Sequence, residues 1–300
     1  MRDASSPLSE AERDAVVRLA AAAERADGAS ALSEQFRLSL ESRESGLVRH
    51  VLATNDSGEV VGYAQSRAGA EDEQASAELV VAPEARRQGV GIALLDALPS
   101  GVRLWSHLDS EAARAFATAR DLDAVRSLLV LGRSLTEGPS WPAAQIPPAY
   151  AVRSFERGRD EGEWLRINAA AFADHPEQGA LTRADLGQRM AQPWFDPQGL
   201  ILVVEADEAS HVVAFHWTKV DPPGGLRGEV YVVGVDPAHQ GEGLGKAVTI
   251  LGLDHLRGRG LAEVVLYVDE ENTAALHTYR SLGFDTLEVH RQYAAGGSGG

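Results

Sequence analysis

The chain has 300 residues, above the usual single-domain size, so two domains are expected. With 44% hydrophobic and 24% charged residues and no apolar run near the ~20 residues that span a bilayer, it has the composition of a soluble globular protein. Its 28 basic and 44 acidic residues leave a net charge of −16, which argues against nucleic acid or an anionic membrane as partner, and the absence of cysteine excludes disulfides and thiolate chemistry.

The opening MRDASSPLSEAERDAV has no apolar core of a secretory leader, so the chain reads as cytoplasmic, a monomer acting on a small ligand. A helical stretch, ALSEQF, surrounds Glu34. Val48–Thr54, Glu59–Arg67 and Ala77–Val81 read as strands, followed by a glycine loop, PEARRQGVG from Pro83 to Gly91, and a helix cut short by Pro99. Val102–His107 and Ala124–Leu131 read as further strands. From Glu137 to Ala149, EGPSWPAAQIPPA carries four prolines and no hydrophobic period, which marks a linker. The second half begins with a helix over Glu163–Phe172, then strands at Leu200–Glu205, His211–Val220 and Glu229–Val235. A second glycine loop, PAHQGEGLG from Pro237 to Gly245, opens a helix with Leu244, Val248, Leu251 and His255 on one face. A strand at Ala262–Val268, a helix through Tyr279 and a strand from Asp285 complete the series, and AAGGSGG reads as a flexible tail. The expected class is α+β, a mixed α/β arrangement, with domains over 1–136 and 150–293, a linker over 137–149 and a tail over 294–300.

The two loops lie a constant 154 residues apart, 83 against 237 and 91 against 245, which implies a duplicated domain. Each has the form strand, Pro, Arg or Gln, two residues, Gly, any residue, Gly, amphipathic helix. A strand feeding a helix N-terminus presents unpaired N–H groups and the positive end of the helix dipole, and glycine removes the β-carbons that would hold a phosphate away. Such a loop suits a pyrophosphate. Neither a Walker loop nor a dinucleotide fingerprint fits, because Ala247 follows Lys246, and Gly241, Gly243 and Gly245 are spaced evenly by two. One loop alone would equally serve as a tight connection; two in register make that reading weak.

Arg/Gln-x-x-Gly-x-Gly after a strand resembles the acetyl-CoA motif of the GNAT superfamily of N-acetyltransferases. That resemblance implies two tandem GNAT domains, each a mostly antiparallel central sheet flanked by helices, with acetyl-CoA as co-substrate and no metal. In the second half it places cofactor contacts on Val233, Gly234 and Val235, on Gln240, Gly241, Glu242, Gly243, Leu244, Gly245 and Lys246, and on Asn272, Thr273, Ala274, Ala275, Leu276 and His277. In the first half they fall on Leu79, Val80 and Val81 and on Arg87, Gln88, Gly89, Val90, Gly91 and Ile92. The motif NTAALHTYRSLGF resembles the last superfamily motif, in which an Asn opens a helix beside the pantetheine and a Tyr protonates the departing thiolate; Asn272 and Tyr279 match. In the first half, Ser110 stands at the Asn position and Ala117 at the Tyr position. An ammonium nucleophile also needs a base, and Glu229 on the strand entering the second cradle is the candidate, with Ala75 as its first-half equivalent. Chemistry is thus expected in the second copy, the first having kept a cradle and lost the acid. No paired His/Asp spacing suggests a metal.

The segments NAAAFADHPEQG, FHWTKV, GEVYVVGVDP and LYVDEENTAALHTYRSLGF are similar to a narrower tandem-domain branch of the superfamily, the one that acetylates the cysteinyl amine of cysteinyl-glucosaminyl-inositol. That likeness implies substrate contacts at Glu34, Glu177, Lys219, Glu229 and Tyr267, with Glu34 bringing the first domain into the site. Carboxylates accept from sugar hydroxyls and attract an ammonium, and a lysine donates to hydroxyl or carbonyl oxygens. Other acceptors (an aminoglycoside, a polyamine or a protein N-terminus) and a non-catalytic acyl-CoA sensor remain as alternatives.

Overall fold

A computed structural model describes residues 2–4, 7–40, 48–68, 75–173 and 176–296, with the side chains of residues 2–4, 176 and 177 undescribed. The chain forms two compact units, one of residues 1–128 together with 288–300 and one of residues 129–287. This division differs from the expected 1–136 and 150–293, because two strands each cross a boundary.

The first unit begins with β1 (Arg2–Ala4), α1 (Glu10–Asp27), α2 (Glu34–Ser39), β2 (Val48–Thr54), β3 (Val60–Arg67) and β4 (Ser76–Val81). It continues with α3 (Val90–Ala97), β5 (Arg103–Ser106), α4 (Glu111–Ala119) and the start of β6 (Leu122–Ser134). α1 carries a capping box in which Ser9 accepts from the N–H of Glu12 and the Glu12 carboxylate reaches back to the Ser9 N–H. β1 to β4 form an antiparallel series, and β4 pairs in parallel with β5. One face of this sheet packs on Val16, Leu19 and Ala23 of α1, the other on Leu94 of α3 and Leu98.

The second unit takes the rest of β6, then β7 (Tyr150–Ser154), α5 (Glu161–Ala171), α6 (Pro176–Gly179), α7 (Arg183–Met190), β8 (Leu200–Glu205) and β9 (Val212–Lys219). β10 (Arg227–Val235), α8 (Leu244–Gly258), β11 (Glu263–Asp269), α9 (Thr273–Ser281) and the first residues of β12 (Asp285–Ala295) complete it. Its sheet runs β6-β11-β10-β9-β8-β7, with β10 and β11 parallel and β7 to β10 antiparallel. Trp164, Ile167 and Leu186 cover one face against Phe215, Trp217 and Val232; Leu244 and Val248 cover the other against Val203, Val213 and Ala214. No helix among the described residues is long and apolar enough to cross a membrane.

Two expectations change. β12 pairs antiparallel with β5 through Arg291↔Ser106, Gln292↔Trp105 and Tyr293↔Leu104, so residues 288–295 of the chain's last strand belong to the first unit. Its end includes Ala294 and Ala295, with Ala294 buried, and of the expected tail from 294 only residues 297–300 lie outside the described residues. The stretch between Glu137 and Ala149 has no helix or strand, but it is anchored: the Trp141 ring lies 4.4 Å from the guanidinium of both Arg133 and Arg257, and its Nε1 donates to Asp254 at 3.0 Å.

The buried stripe of α8 also differs from the sequence pattern. Leu244 and Val248 are buried as expected, but Leu251 and His255 are half-buried while Gly252 and Leu256 are covered. His216 of β9 occupies the space a side chain at 252 would need, donating from Nδ1 to the Val248 carbonyl at 3.0 Å, and burial pushes its imidazole down to about 4. It is therefore neutral, and a methyl group at 252 would overlap it. Gly252→Ala is expected to cost about 1–3 kcal/mol through overpacking, read as a lower urea midpoint at unchanged slope.

Candidate active site

The second unit builds its cradle at the end of β10. Asp236 caps a 3₁₀ turn over Pro237–His239 by accepting from the Ala238 N–H at 3.0 Å, and Arg166 holds the same carboxylate at 2.9 Å. Gln240 is extended (φ −70°, ψ 153°), Gly241 is left-handed (φ 84°), and Gly243 (φ 79°) is the N-cap of α8 with no side chain bonded to the helix end. The first N–H groups of α8 are thus offered without a capping side chain, which fits an anionic ligand. Gly241 and Gly243 face open space, so what they satisfy is backbone conformation rather than packing. Gly234 differs: a Cβ there would meet the Phe215 ring, giving it a packing role.

The first unit repeats this loop nearly angle for angle. Arg86 is extended (φ −69°, ψ 157°), Arg87 is left-handed (φ 62°) where the second loop has Gly241, and Gly89 (φ 84°) is the uncapped N-cap of α3. Arg86 is committed to structure, pairing through both terminal nitrogens with the Asp27 carboxylate at 2.7 Å and donating from Nε to the Val81 carbonyl at 3.2 Å. β4 and β5 pair only at Ser76↔Arg103 and Ala77↔Leu104, and beyond that point a cleft of about 710 Å³ opens between them. Leu79, Val80 and Val81 line one side of it, Trp105 and His107 the other, with Arg87, Gly89, Gly91 and Ile92 at the cradle. Gln88 donates to the Glu84 carbonyl at 3.0 Å, and Val90 begins α3.

The same divergence occurs in the second unit. The register of β10 with β11 ends at Val230↔Leu266, while β10 runs on to Val235 and β11 to Asp269. Glu229 sits at the last paired positions, opposite Val265 on one side and Lys219 of β9 on the other. A bulge at Tyr231 follows at once, which twists the strand where the gap begins. Lys219 is buried, 5% exposed, with its ammonium 3.8 Å from the Glu229 carboxylate and 3.7 Å from that of Asp221. The rings of Trp194 and Tyr231 flank it at 5.0 and 5.2 Å, and Arg189 Nε donates to the Tyr231 hydroxyl at 3.0 Å. Trp194, Tyr231 and Arg189 are site residues the sequence reading missed; the bulge at Tyr231 leaves no period to find it by. Tyr267, one residue past the last β10–β11 pair, is 49% exposed.

Tyr279 lies on α9 with its ring 5.7 Å from Phe284, and desolvation pushes its phenol up to about 12. It stays a neutral hydrogen-bond donor at physiological pH. Asn272 caps α9 by accepting from the Ala275 N–H at 3.0 Å, and Ser110 caps α4 by accepting from the Ala113 N–H at 3.1 Å, so the aligned pair shares a structural role. Within α9, Thr273, Ala274 and His277 are exposed and Leu276 is buried. In the second loop Glu242 accepts from the Tyr150 hydroxyl at 2.5 Å, and Leu244, Gly245 and Lys246 form the first turn of α8. Glu34 opens α2 in the first unit, behind the Ser33 cap. The backbone of Glu177 belongs to α6, but its side chain lies outside the described residues.

Residues 163–284 match the profile of the acetyltransferase (GNAT) family, and residues 47–119 match that of an acetyltransferase (GNAT) domain. A tandem GNAT protein from the clavulanic acid biosynthesis pathway shares the fold over 99% of both chains, with a TM-score of 0.75 at 16% identity. Fold and paired cradles together define a tandem acetyl-CoA-dependent N-acetyltransferase. The mycothiol acetyltransferase of Thermomonospora curvata is 47% identical over 96% of this chain and 95% of its own length, and that of Streptomyces coelicolor is 47% identical over 95% and 92%. The chain belongs to the mycothiol acetyltransferase family.

Tyr279→Phe keeps the ring packing and removes only the donor. Turnover is expected to fall about 10²-fold with acetyl-CoA affinity unchanged, measured by steady-state kinetics and equilibrium binding.

Proposed function

We propose that the chain moves the acetyl group of acetyl-CoA onto the cysteinyl amine of cysteinyl-glucosaminyl-inositol, the step that completes mycothiol, and that the second unit performs it. The observation that carries the assignment is asymmetry between two otherwise matching frames. Glu229 stands at the mouth of the β10–β11 gap and Tyr279 on the helix that follows β11, whereas Ala75 and Ala117 hold the corresponding positions in the first unit. A pure acyl-CoA binder has no use for either residue.

Acetyl-CoA supplies an activated thioester when bound. Glu229 takes the proton from the substrate ammonium, directly or through one water, leaving the amine lone pair free to attack the thioester carbonyl. Backbone N–H groups near Val233–Val235 face the developing oxyanion, where a fixed donor is worth more than water. Collapse breaks the carbon–sulfur bond, Tyr279 donates its phenolic proton to the leaving sulfur, and the second nitrogen proton passes to the phenolate as the neutral amide forms. Lys219, held by Trp194 and Tyr231, fixes the Glu229 carboxylate and donates to substrate oxygens. Tyr267, one residue past the last β10–β11 pair, adds a further substrate contact. The first cleft holds acetyl-CoA without turning it over.

Acetyl transfer measured against a panel of amines tests the assignment. Cysteinyl-glucosaminyl-inositol is expected to be the preferred acceptor; a chain that ignores it while acetylating a polyamine, an aminoglycoside or a peptide N-terminus contradicts the reading. Glu229→Gln is expected to lower kcat about 10²-fold or more while changing acetyl-CoA affinity little. Equal losses in both would assign Glu229 to binding instead.

A further inference from the structure

Three side chains from separate stretches of the second unit converge beside the cradle turn. Glu205 ends β8, His211 immediately precedes β9, and His239 closes the 3₁₀ turn that enters the cradle. The backbone sets them side by side: the Glu205 N–H donates to the His211 carbonyl at 3.2 Å across the hairpin, and the Asp236 N–H donates to the Val213 carbonyl at 2.9 Å. One ligating atom from each residue lies within 4.8 Å of the other two, and all three residues are half-buried. His239 Nε2 faces Glu205 Oε1 at 4.0 Å, too long for a hydrogen bond. Two ligands held ~2.0–2.1 Å from a tetrahedral ion stand ~3.3 Å apart, so a small side-chain rotation closes the set around one.

The surroundings match those of a ligand set. His211 Nδ1 lies 3.4 Å from the Glu163 carboxylate, which accepts from the Val212 N–H at 3.0 Å and from Arg166 at 2.9 Å. His239 Nδ1 lies 3.0 Å from the Tyr150 hydroxyl, whose proton goes to Glu242 at 2.5 Å. The His239 imidazole thus has Nδ1 oriented by a fixed oxygen, the outer-shell arrangement that aims Nε2 at a metal, and the Glu163 carboxylate lies beside His211.

We propose that Glu205, His211 and His239 bind a divalent transition ion of the zinc class, with the remaining coordination positions taken by water. Two imidazoles and one carboxylate suit Zn²⁺ and disfavour Mg²⁺ or Ca²⁺, which prefer oxygen. The ion ties the 206–211 hairpin to the turn that sets the cradle. It also places positive charge beside a loop, Pro237–Gly245, that has no Lys or Arg in a chain of net charge −16. No step of acetyl transfer runs through it.

The test uses full-length protein stripped with a chelator, titrated with Zn²⁺ by calorimetry and with Co²⁺ by ligand-field absorption. One ion per chain is expected. His211→Ala and His239→Ala each weaken binding at least about tenfold, Tyr150→Phe weakens it less, and Mg²⁺ does not compete. Zn²⁺ is also expected to raise the unfolding midpoint of the parent chain but not of the His211→Ala chain. If His239→Ala loses its circular dichroism signature, His211→Ala and Glu205→Gln carry the comparison. Sub-stoichiometric binding, or affinity unchanged in the variants that fold, overturns the proposal.

Discussion

Parallel strands that separate leave backbone donors and acceptors without a sheet partner, and such groups do not stay unpaired in a folded protein. In the second unit that separation begins after Val230↔Leu266, and the site is arranged around it. Glu229 sits one pair before the last, the bulge re-aims Tyr231 toward Lys219, Tyr267 follows the last pair, and the cradle follows the end of β10, which stays paired with β9 as far as Val235. An extended ligand entering the gap would lie along the strand edge that faces it and bring its anionic end to the glycine loop. The same separation follows Ala77↔Leu104 in the first unit, where a cleft lined by Leu79, Val80, Val81, Gly89 and Gly91 opens.

The copies have conserved backbone and shed side chains. Their loops agree closely in dihedral angle at the aligned positions, although the first must hold Arg87 in the left-handed region, which costs a non-glycine residue roughly 1–2 kcal/mol. A loop with no task would be expected to relax. Where the second unit has Glu229 and Tyr279, the first has Ala75 and Ala117 at the aligned positions. What it has added is structural, notably the Asp27–Arg86 pair that pins the cradle to the end of α1.

Much of this was legible because it is local. The loops follow from glycine spacing, the early end of α3 from Pro99, and most strands from their period, since each depends on neighbours a few residues away. The capping box of Ser9 and Glu12 is local too, and marks α1, a helix the periodicity reading passed over. Other features depend on partners distant in sequence. Nothing in β12 itself says that it pairs with β5, because an alternating strand fits any free sheet edge. Gly252 interrupts the apolar stripe of α8 for the sake of His216, 36 positions away, so the pattern reads one face when a neighbouring one is buried. Lys219 looks like a solvated strand end until Trp194 and Tyr231 close over it. The group of Glu205, His211 and His239 has no motif spacing, since a hairpin and a turn assemble it.

The division of labour between matching frames is tested most directly by measuring acetyl-CoA stoichiometry and turnover together in the parent chain and in Gly89→Val and Gly243→Val. The parent is expected to bind two molecules per chain and each variant one, with turnover of the cysteinyl pseudo-disaccharide lost only in Gly243→Val. A single site in the parent, or loss of turnover in Gly89→Val with its second site filled, would contradict a working cradle paired with a retained one.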